Sequence, residues 1–177
     1  MPRVMLIRHA HPVVDPEVPA AQWPLSEEGR GAAYVLARRI DAGTSPTIAT
    51  SDETKAIETS DVVADVTGGV VVVDERLREV SRPWVPEGYE RLASAWLVGR
   101  HLDGWESQET ASRRMSRAIT DVLASTSATL VVTHGLVMTA FLAASIGVDP
   151  VPFWEDLRLP DAWWVDPEDR RLERLAG

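Results

Sequence analysis

The sequence predicts an α/β protein, a single-domain three-layer α/β/α sandwich with a mainly parallel central sheet. Two observations and one general rule lead to this prediction. Short apolar runs typical of buried strands alternate along the chain with longer stretches of helical periodicity. Capping residues, glycines and prolines separate the two kinds of segment. Strands that alternate with helices favour a parallel sheet covered on both faces.

The first half of the chain predicts three strands and two helices. The segments are a strand at 4–8, a proline-rich loop at 12–24, a helix at 26–41, a strand at 46–50, a helix at 52–66 and a strand at 70–73. Ser26 is a suitable N-cap for the first helix, and Gly43 is placed to end it. Asp52 is placed to cap the second helix, and two glycines at 68–69 end it. Four consecutive valines at 70–73 predict a third buried strand.

The second half predicts three helices, a strand and a closing hairpin. The segments are an irregular stretch at 75–88, helices at 90–98 and 106–124, a strand at 129–133, a helix at 136–146, and strands at 162–165 and 171–175. Met115 and Ile119 belong to the buried stripe of the second of these helices. Gly147 is placed to end the third helix. Pro167, Glu168 and Asp169 form the turn of the hairpin.

Composition limits the classes of function. The chain has 177 residues, 45% of them hydrophobic, which is enough for one core, and we expect one domain over residues 1–177. A net charge of −9 argues against a nucleic-acid binder. The first apolar run is too short for a signal peptide or a membrane span, so we expect a cytoplasmic protein with no membrane partner. The absence of cysteine excludes thiolate chemistry.

Two strand patterns each deliver a histidine at their C-terminal end. His9 follows the first strand, and His134 follows the strand at 129–133. Ligands bind at the carboxyl ends of parallel strands, so the two histidines converge on one site if their strands are neighbours. Arg8 beside the first histidine indicates an anionic substrate. Each histidine alone could equally well be a structural loop residue. The pattern occurs twice in a chain with only four histidines, however, and this repetition favours a functional role.

These residue types suit phosphoryl transfer. A neutral imidazole can attack phosphorus and form a phosphohistidine, which makes His9 the candidate nucleophile. Arg8 and His134 could hold the phosphoryl oxygens. Lys55, near the start of the second helix, adds a charge or is a solvated surface lysine. Glu79, just past the third strand, is a candidate proton donor to the leaving alkoxide or an ordinary surface glutamate.

Five motifs occur in order along most of the chain. They are Arg8-His9-Ala10, Leu25-Ser26-Glu27-Glu28-Gly29, Ser51-Asp52-Glu53-Thr54-Lys55-Ala56-Ile57-Glu58-Thr59, Leu77-Arg78-Glu79 and His134-Gly135. Together they resemble the histidine phosphatase, or phosphoglycerate mutase-like, superfamily. The motifs of that family, in the same order, are Arg-His-Gly, Leu-Ser/Thr-x-x-Gly, Ser-Pro-Leu-x-Arg-Ala-x-x-Thr, Leu-x-Glu and His-Gly. Five matches in order are far more specific than any one of them.

The resemblance implies a phosphoglycerate mutase-like fold and a role for each matched residue. It makes His9 the phosphorylated nucleophile and Glu79 the proton donor. It assigns phosphoryl binding to Arg8 and His134, and it places Lys55 where the family has a second phosphate-binding arginine.

The chain departs from the family pattern at two positions near the nucleophile. Lys55 keeps the positive charge of the family's arginine but lacks its planar, two-pronged guanidinium. Ala10 replaces a glycine, and this replacement requires a negative φ at that position. A third departure is Thr139, which stands where some family members carry an arginine.

Two further residues are candidates for substrate binding. His11 could contact the phosphate or only flank the site. Arg82, together with Trp84, could form a wall for the leaving group, although an exposed arginine and a packed tryptophan explain the same pattern. We expect no cofactor and no metal, because two histidines with cationic neighbours make a poor cation site. The Trp163-Trp164 pair would place one ring outward, which suits a homo-oligomer interface.

We therefore expect a metal-independent phosphatase that acts on small-molecule phosphomonoesters through phospho-His9. A mutase-type phosphotransferase is one alternative, for which the chain is short. A phosphohistidine protein phosphatase is another, although it would need Glu79 less. The alternative from a different class is a non-catalytic phosphate-binding or scaffold protein on the same fold, favoured by Lys55 and Ala10. The sequence leaves the substrate and the oligomeric state open.

Overall fold

The computed structural model describes residues 3–41, 46–124 and 129–176, and one six-stranded sheet runs through them. The strands are β1 (Val4–Arg8), β2 (Thr47–Thr50), β3 (Val70–Val73), β4 (Thr129–Thr133), β5 (Asp161–Asp166) and β6 (Arg171–Arg174), in the order β3-β2-β4-β1-β5-β6. The first four strands of that order are parallel, and β5 and β6 are antiparallel additions. The predicted mainly parallel sheet and closing hairpin are confirmed.

Helices cover both faces of the sheet. They are α1 (Glu27–Ala37), α2 (Thr54–Thr67), α3 (Tyr89–Leu97), α4 (Gln108–Leu123), α5 (Gly135–Ser145) and α6 (Pro150–Asp156). α1 and α2 pack on one face, and α3, α4 and α5 pack on the other. The three-layer α/β/α sandwich is therefore confirmed. The short helix α6, with Pro150 in its first turn, was not predicted.

The central strand β1 shows why its sequence is apolar at consecutive positions. Val4 and Leu6 contact the hydrophobic cluster under α3 to α5, whereas Met5 and Ile7 contact the cluster under α1 and α2. All four side chains are fully buried. A strand with helices on both faces must be apolar on both sides, so its sequence does not alternate between apolar and polar residues.

Helix α1 begins as predicted but ends earlier. The Ser26 hydroxyl accepts a 2.9 Å bond from the Gly29 N–H, which confirms the N-cap. The predicted end at residue 41 is wrong, because α1 ends at Ala37. Beyond it, Arg39 and Ile40 donate to carbonyls three residues back, so the last turn tightens and leaves the helix. Gly43 lies outside the described residues.

Two further predictions about local structure are wrong. Asp52 does not cap α2, since Glu53 occupies the N-cap position and no side chain caps the helix. The strand β3 is not buried, because it is the edge strand of the sheet, and Val70, Val72 and Val73 are at least half exposed. Gly68 does end α2, in the left-handed conformation that glycine favours.

Within the part of the chain that the structure describes, no helix has the length and apolarity needed to cross a membrane.

Candidate active site

Strand pairing brings the two strand-end histidines together. β1 and β4 are parallel neighbours in which Arg8 is paired with Thr133, so the next residues, His9 and His134, leave the sheet side by side. Their ring centroids are 5.0 Å apart. The predicted convergence of two histidines at the carboxyl ends of the strands therefore occurs.

All seven predicted site residues line one cleft of about 760 Å³. They are Arg8, His9, His11, Lys55, Glu79, Arg82 and His134. The strand order explains this convergence, because β2 lies beside β4 and delivers Lys55, and the chain after β3 delivers Glu79 and Arg82. The cleft therefore opens at the carboxyl edge of the parallel strands.

The hydrogen bond of His9 fixes its tautomer. Its Nδ1 lies 2.7 Å from the Ala10 carbonyl oxygen, which can only accept, so Nδ1 carries the proton and Nε2 keeps a lone pair. Burial lowers the pKa of His9 well below its ordinary value, and two further effects act in the same direction: repulsion between protonated His9 and protonated His134, and the charge of Lys55. His9 is therefore a neutral imidazole whose Nε2 has no hydrogen-bond partner among the described residues.

The loop that carries His9 is fixed by residues of the second and third motifs. The Ala10 N–H donates a 3.0 Å bond to the Thr59 hydroxyl, which in turn donates to the Lys55 carbonyl at 2.7 Å. Gly29 packs so closely on the backbone of His11 that a Cβ would lie 2.1 Å from the His11 carbonyl oxygen. Arg170 is the only non-glycine residue of the described ranges with a positive φ, so Ala10 meets its backbone requirement.

His134 is fully buried and anchored at one nitrogen. Its Nε2 lies 2.8 Å from the Ser51 hydroxyl, and its Nδ1 has no partner among the described residues. Burial lowers the pKa of His134 well below its ordinary value, with the charges of Lys55 and Arg114 adding to the effect. The unpaired Nδ1 can donate a hydrogen bond to a phosphoryl oxygen. Such a bond would remove the energetic cost of burying this nitrogen without a partner.

The Arg8 guanidinium lies so close to the residue after His134 that a glycine is favoured there. Its Nη1 donates to the Leu157 carbonyl at 3.1 Å, and its Nε is buried with no partner among the described residues. A Cβ on Gly135 would lie 3.1 Å from that Nε, so a larger residue would press on the guanidinium. Burial lowers the pKa of Arg8, while the charge of Glu79 opposes this effect. The unpartnered donor makes Arg8 suited to an anionic ligand.

Lys55 lies inside the cleft and is not a surface lysine. Its ammonium is buried, donates to the Ala20 carbonyl at 2.7 Å and forms an ion pair with Glu53. The ammonium also lies 6.0 Å from the ring centroid of Trp23. The carboxylate of Glu53 partly neutralises the charge that Lys55 brings to the site.

Glu79 is held at the N-terminus of α5. Its Oε1 accepts backbone N–H bonds from Val80 at 2.9 Å and Val137 at 3.0 Å, and its Oε2 accepts one from Leu136 at 3.1 Å. The N–H groups of Leu136 and Val137 are unpaired donors in the first turn of α5, and such donors favour a carboxylate beside them. Oε2 keeps a lone pair that can carry a proton.

An ion pair behind Glu79 supports the segment that carries it. Arg114 of α4 donates to the carbonyls of Arg76 and Arg78, at 2.7 Å each, and to the Glu79 carbonyl at 3.0 Å. It also forms two 2.8 Å bonds with the Glu106 carboxylate. Arg114 therefore joins the backbone on both sides of the candidate acid to the helical layer.

The outer part of the cleft has mixed character. The Arg82 guanidinium lies over the Tyr89 ring, 4.3 Å from its centroid, and Trp84 is 46% exposed. Burial raises the pKa of the Tyr89 hydroxyl to about 12, with the negative charge of Glu79 adding to the effect. His11 is exposed at the mouth of the cleft.

Sequence reasoning missed Glu53 and Arg114. Glu53 accepts the Glu79 N–H at 2.8 Å and lies 3.7 Å from His134 Nε2, so it touches three site residues including Lys55. Its place two residues before Lys55 in the third motif was the available signal. Arg114 had no local signal, since its partners are distant in sequence.

The donor set does not suit a metal ion. Among the residues that the structure describes, no three histidine or acidic side chains are grouped to hold one. The cations Arg8 and Lys55 instead make the inner cleft suitable for an anion.

The chain is similar to proteins of one family. A family model, the histidine phosphatase superfamily (branch 1), matches residues 4–165. A probable phosphoglycerate mutase, GpmB, of Yersinia enterocolitica is 28% identical over 167 residues, covering 85% of this chain and 77% of that protein.

Solved structures share the fold. A mycobacterial glucosyl-3-phosphoglycerate phosphatase in complex with inorganic phosphate superposes with a TM-score of 0.75 at 22% identity, covering 100% of this chain and 98% of that one. Bacillus stearothermophilus YhfR has a TM-score of 0.69 at 21% identity, covering 98% and 96%. The motifs, the fold and the extent of the family match together show that the protein belongs to the histidine phosphatase superfamily.

Proposed function

We propose that the protein is a metal-independent phosphatase that hydrolyses phosphomonoesters through a phosphohistidine on His9, with Glu79 as the proton donor. The observation that most strongly supports this is the state of His9. It is a neutral imidazole with its Nδ1 proton held by a carbonyl and its Nε2 lone pair free, beside the partly buried cation of Arg8. This is the state that a nucleophilic imidazole requires.

In the first step, Nε2 of His9 attacks phosphorus, and the phosphorus–oxygen bond to the alcohol breaks. The proton on the Glu79 carboxyl moves to the leaving oxygen, so the alcohol departs neutral. The Arg8 guanidinium and the unpaired Nδ1 of His134 hold the phosphoryl oxygens as negative charge shifts onto them.

In the second step, water attacks phosphorus and the Nε2–phosphorus bond breaks. The Glu79 carboxylate takes the proton from the water, which restores the acid and releases inorganic phosphate. The three N–H bonds to Glu79 keep its carboxyl group in one place for both transfers.

A phosphoglycerate mutase is the second candidate, because the Yersinia relative is described as one. A mutase must keep water away from its phosphoenzyme. Val14 and Trp84 in the cleft wall are 53% and 46% exposed, so water has access to the cleft. This exposure favours hydrolysis over transfer.

The test is phosphate release from a panel of phosphomonoesters by the wild type and His9→Gln, with and without EDTA. We expect release by the wild type, unchanged by EDTA, and none above background by the variant. Equal release by both proteins, or no release from any ester, would contradict the proposal. Interconversion of 2- and 3-phosphoglycerate, followed by NMR, would establish the mutase instead.

A further inference from the structure

We propose that the outer part of the cleft binds an apolar, aromatic leaving group, so that the preferred substrates are phosphomonoesters of aromatic alcohols. The inference rests on the proposed phosphatase function and names its substrate class. It follows from the size of the cleft, the chemistry of its outer wall, the way that wall is held, and the distribution of charge around it.

The cleft is much larger than the phosphoryl group. Its volume of about 760 Å³ lies within the range of whole small-molecule sites, about 300–1,000 Å³. His9, Arg8 and His134 occupy only its inner end. The remaining space lies where the leaving group of a phosphomonoester would extend from the phosphorus.

The wall around that space is mostly apolar. The apolar residues that line it include Pro12, Val14, Val18, Trp23, Trp84 and Leu159. Two of them are large and exposed, Val14 at 53% and Trp84 at 46%. A leaving group that covers this surface removes it from water, which favours binding by an apolar ligand.

The wall is held in place before any ligand binds. The Trp23 indole N–H lies 2.9 Å from the Asp15 carbonyl and 3.0 Å from the Val18 carbonyl, which ties the proline-rich loop around one buried ring. Trp84 packs edge-on against Trp23, with centroids 5.5 Å apart and planes at 81°. The pair presents ring surface to the cleft at little ordering cost, which suits a flat aromatic partner.

The charges around the outer cleft do not favour an anionic leaving group. Glu17 lines the apolar wall and would repel a carboxylate there. Arg78 is paired with Glu75 at 2.7 Å and Asp52 at 3.6 Å. Arg82 lies over the ring of Tyr89 at 4.3 Å, so its guanidinium faces an aromatic surface, while its buried Nε has no hydrogen-bond partner among the described residues.

Phosphonates test this subsite without depending on turnover. Benzylphosphonate and ethylphosphonate carry the same anionic head group and differ in the aromatic ring. We expect calorimetry to show that the wild type binds benzylphosphonate about tenfold more tightly than ethylphosphonate. Trp84→Ala should remove most of that preference, because it weakens benzylphosphonate binding far more than ethylphosphonate binding. Tyr34→Ala, which removes a half-exposed aromatic ring outside the cleft, should leave the preference intact.

Turnover then compares benzyl phosphate with ethyl phosphate, two primary alkyl esters of similar leaving ability. A higher kcat/KM for benzyl phosphate, carried mainly by KM and lost in Trp84→Ala, supports the inference. Phosphate release with no preference for the aromatic ligand or ester would overturn the inference and leave the phosphatase standing. A preference for 3-phosphoglycerate that disappears in Arg82→Gln would also overturn it, in favour of an anionic leaving group. A benzylphosphonate preference without any phosphate release would support the aromatic subsite and contradict the phosphatase.

Discussion

The guanidinium of Arg114 donates a 3.0 Å hydrogen bond to the backbone carbonyl of Glu79, the residue that we propose as proton donor. The same side chain is paired with the partly buried carboxylate of Glu106. Burial acts to raise the pKa of that carboxylate, but its hydrogen bonds to Arg114 and the charge of Arg114 lower it. The position of Glu79 thus depends on a side chain of helix α4, which packs against the segment that carries Glu79.

Replacing Arg114 tests this dependence. Arg114→Lys keeps the charge but cannot make the three backbone bonds and the two-pronged pair. We expect kcat for alkyl phosphates to fall by about tenfold to hundredfold, because the acid is misplaced. The kcat for p-nitrophenyl phosphate should fall much less, since its leaving group needs no proton.

The control is Arg113→Lys, a change at an exposed position of the same helix. Thermal melting confirms that each variant is folded. An equal loss for alkyl and aryl esters in Arg114→Lys would mean that the arginine supports the fold without positioning the acid.

Two glycines of α1 form a matched pair for stability. Gly29→Ala places a methyl group 2.1 Å from the His11 carbonyl oxygen, whereas a methyl group at Gly31 meets nothing within 4 Å. We expect Gly29→Ala to lower the free energy of unfolding by about 1–3 kcal/mol. Gly31→Ala should raise it by about 0.5–1 kcal/mol, as alanine favours the helix. Urea denaturation checks both, and a similar effect at the two positions would contradict the close packing of α1 on the His11 backbone.

The two cleft histidines predict a loss of stability in acid. Burial depresses the pKa of His9 and of His134 in the folded state, so below the ordinary histidine pKa of about 6.5 the unfolded chain binds more protons than the folded one. The free energy of unfolding should therefore fall as pH drops below 6.5, by up to about 1.4 kcal/mol per pH unit for each histidine.

Urea denaturation between pH 7.5 and 5, at steps of about half a pH unit, measures this slope. His9→Gln and His134→Gln should each make it shallower, and His101→Gln, at an exposed position, is the control. A slope that neither cleft variant changes would mean that other groups produce the acid sensitivity.

The ion pair of Lys55 and Glu53 can contribute both to the stability of the fold and to the binding of phosphate. A double variant separates these two contributions. Lys55→Met leaves the buried carboxylate of Glu53 without its partner, and we expect a loss of about 3 kcal/mol in stability. Adding Glu53→Gln should restore much of that stability. Inhibition by inorganic phosphate should remain weakened in both variants, because the cation is missing. Wild-type phosphate inhibition in the double variant would show that Lys55 serves only as the partner of Glu53.

The convergence of the strand-end residues on one cleft could be predicted from the sequence because its signals are local. A strand that ends in a histidine places that residue at the carboxyl edge of the sheet, and the order of strands then brings His9 and His134 together. The capping serine and the two close-packed glycines, Gly29 and Gly135, are likewise explained by contacts that the motif residues make in this structure.

The predictions that were wrong depend on tertiary structure. Four valines at 70–73 are equally compatible with a central and an edge strand, and only the sheet order decides. Asp52 and Glu53 are both acidic residues just before α2, so the sequence does not show which of them occupies the N-cap position. In the structure Glu53 occupies it, and its side chain pairs with Lys55. The contact between Arg114 and Glu79 joins segments that are far apart in the chain, so no local pattern indicates it.

In the proposed mechanism, phosphorus becomes bonded to His9. The most direct measurement is mass spectrometry of the protein quenched rapidly into alkali, which preserves phosphohistidine, after mixing with benzyl phosphate and other phosphomonoesters. We predict a phosphoryl adduct on the peptide that contains His9, appearing and decaying together with phosphate release, and no adduct in His9→Gln. Phosphate release without any adduct, or an adduct on a different residue, would rule out His9 as the nucleophile.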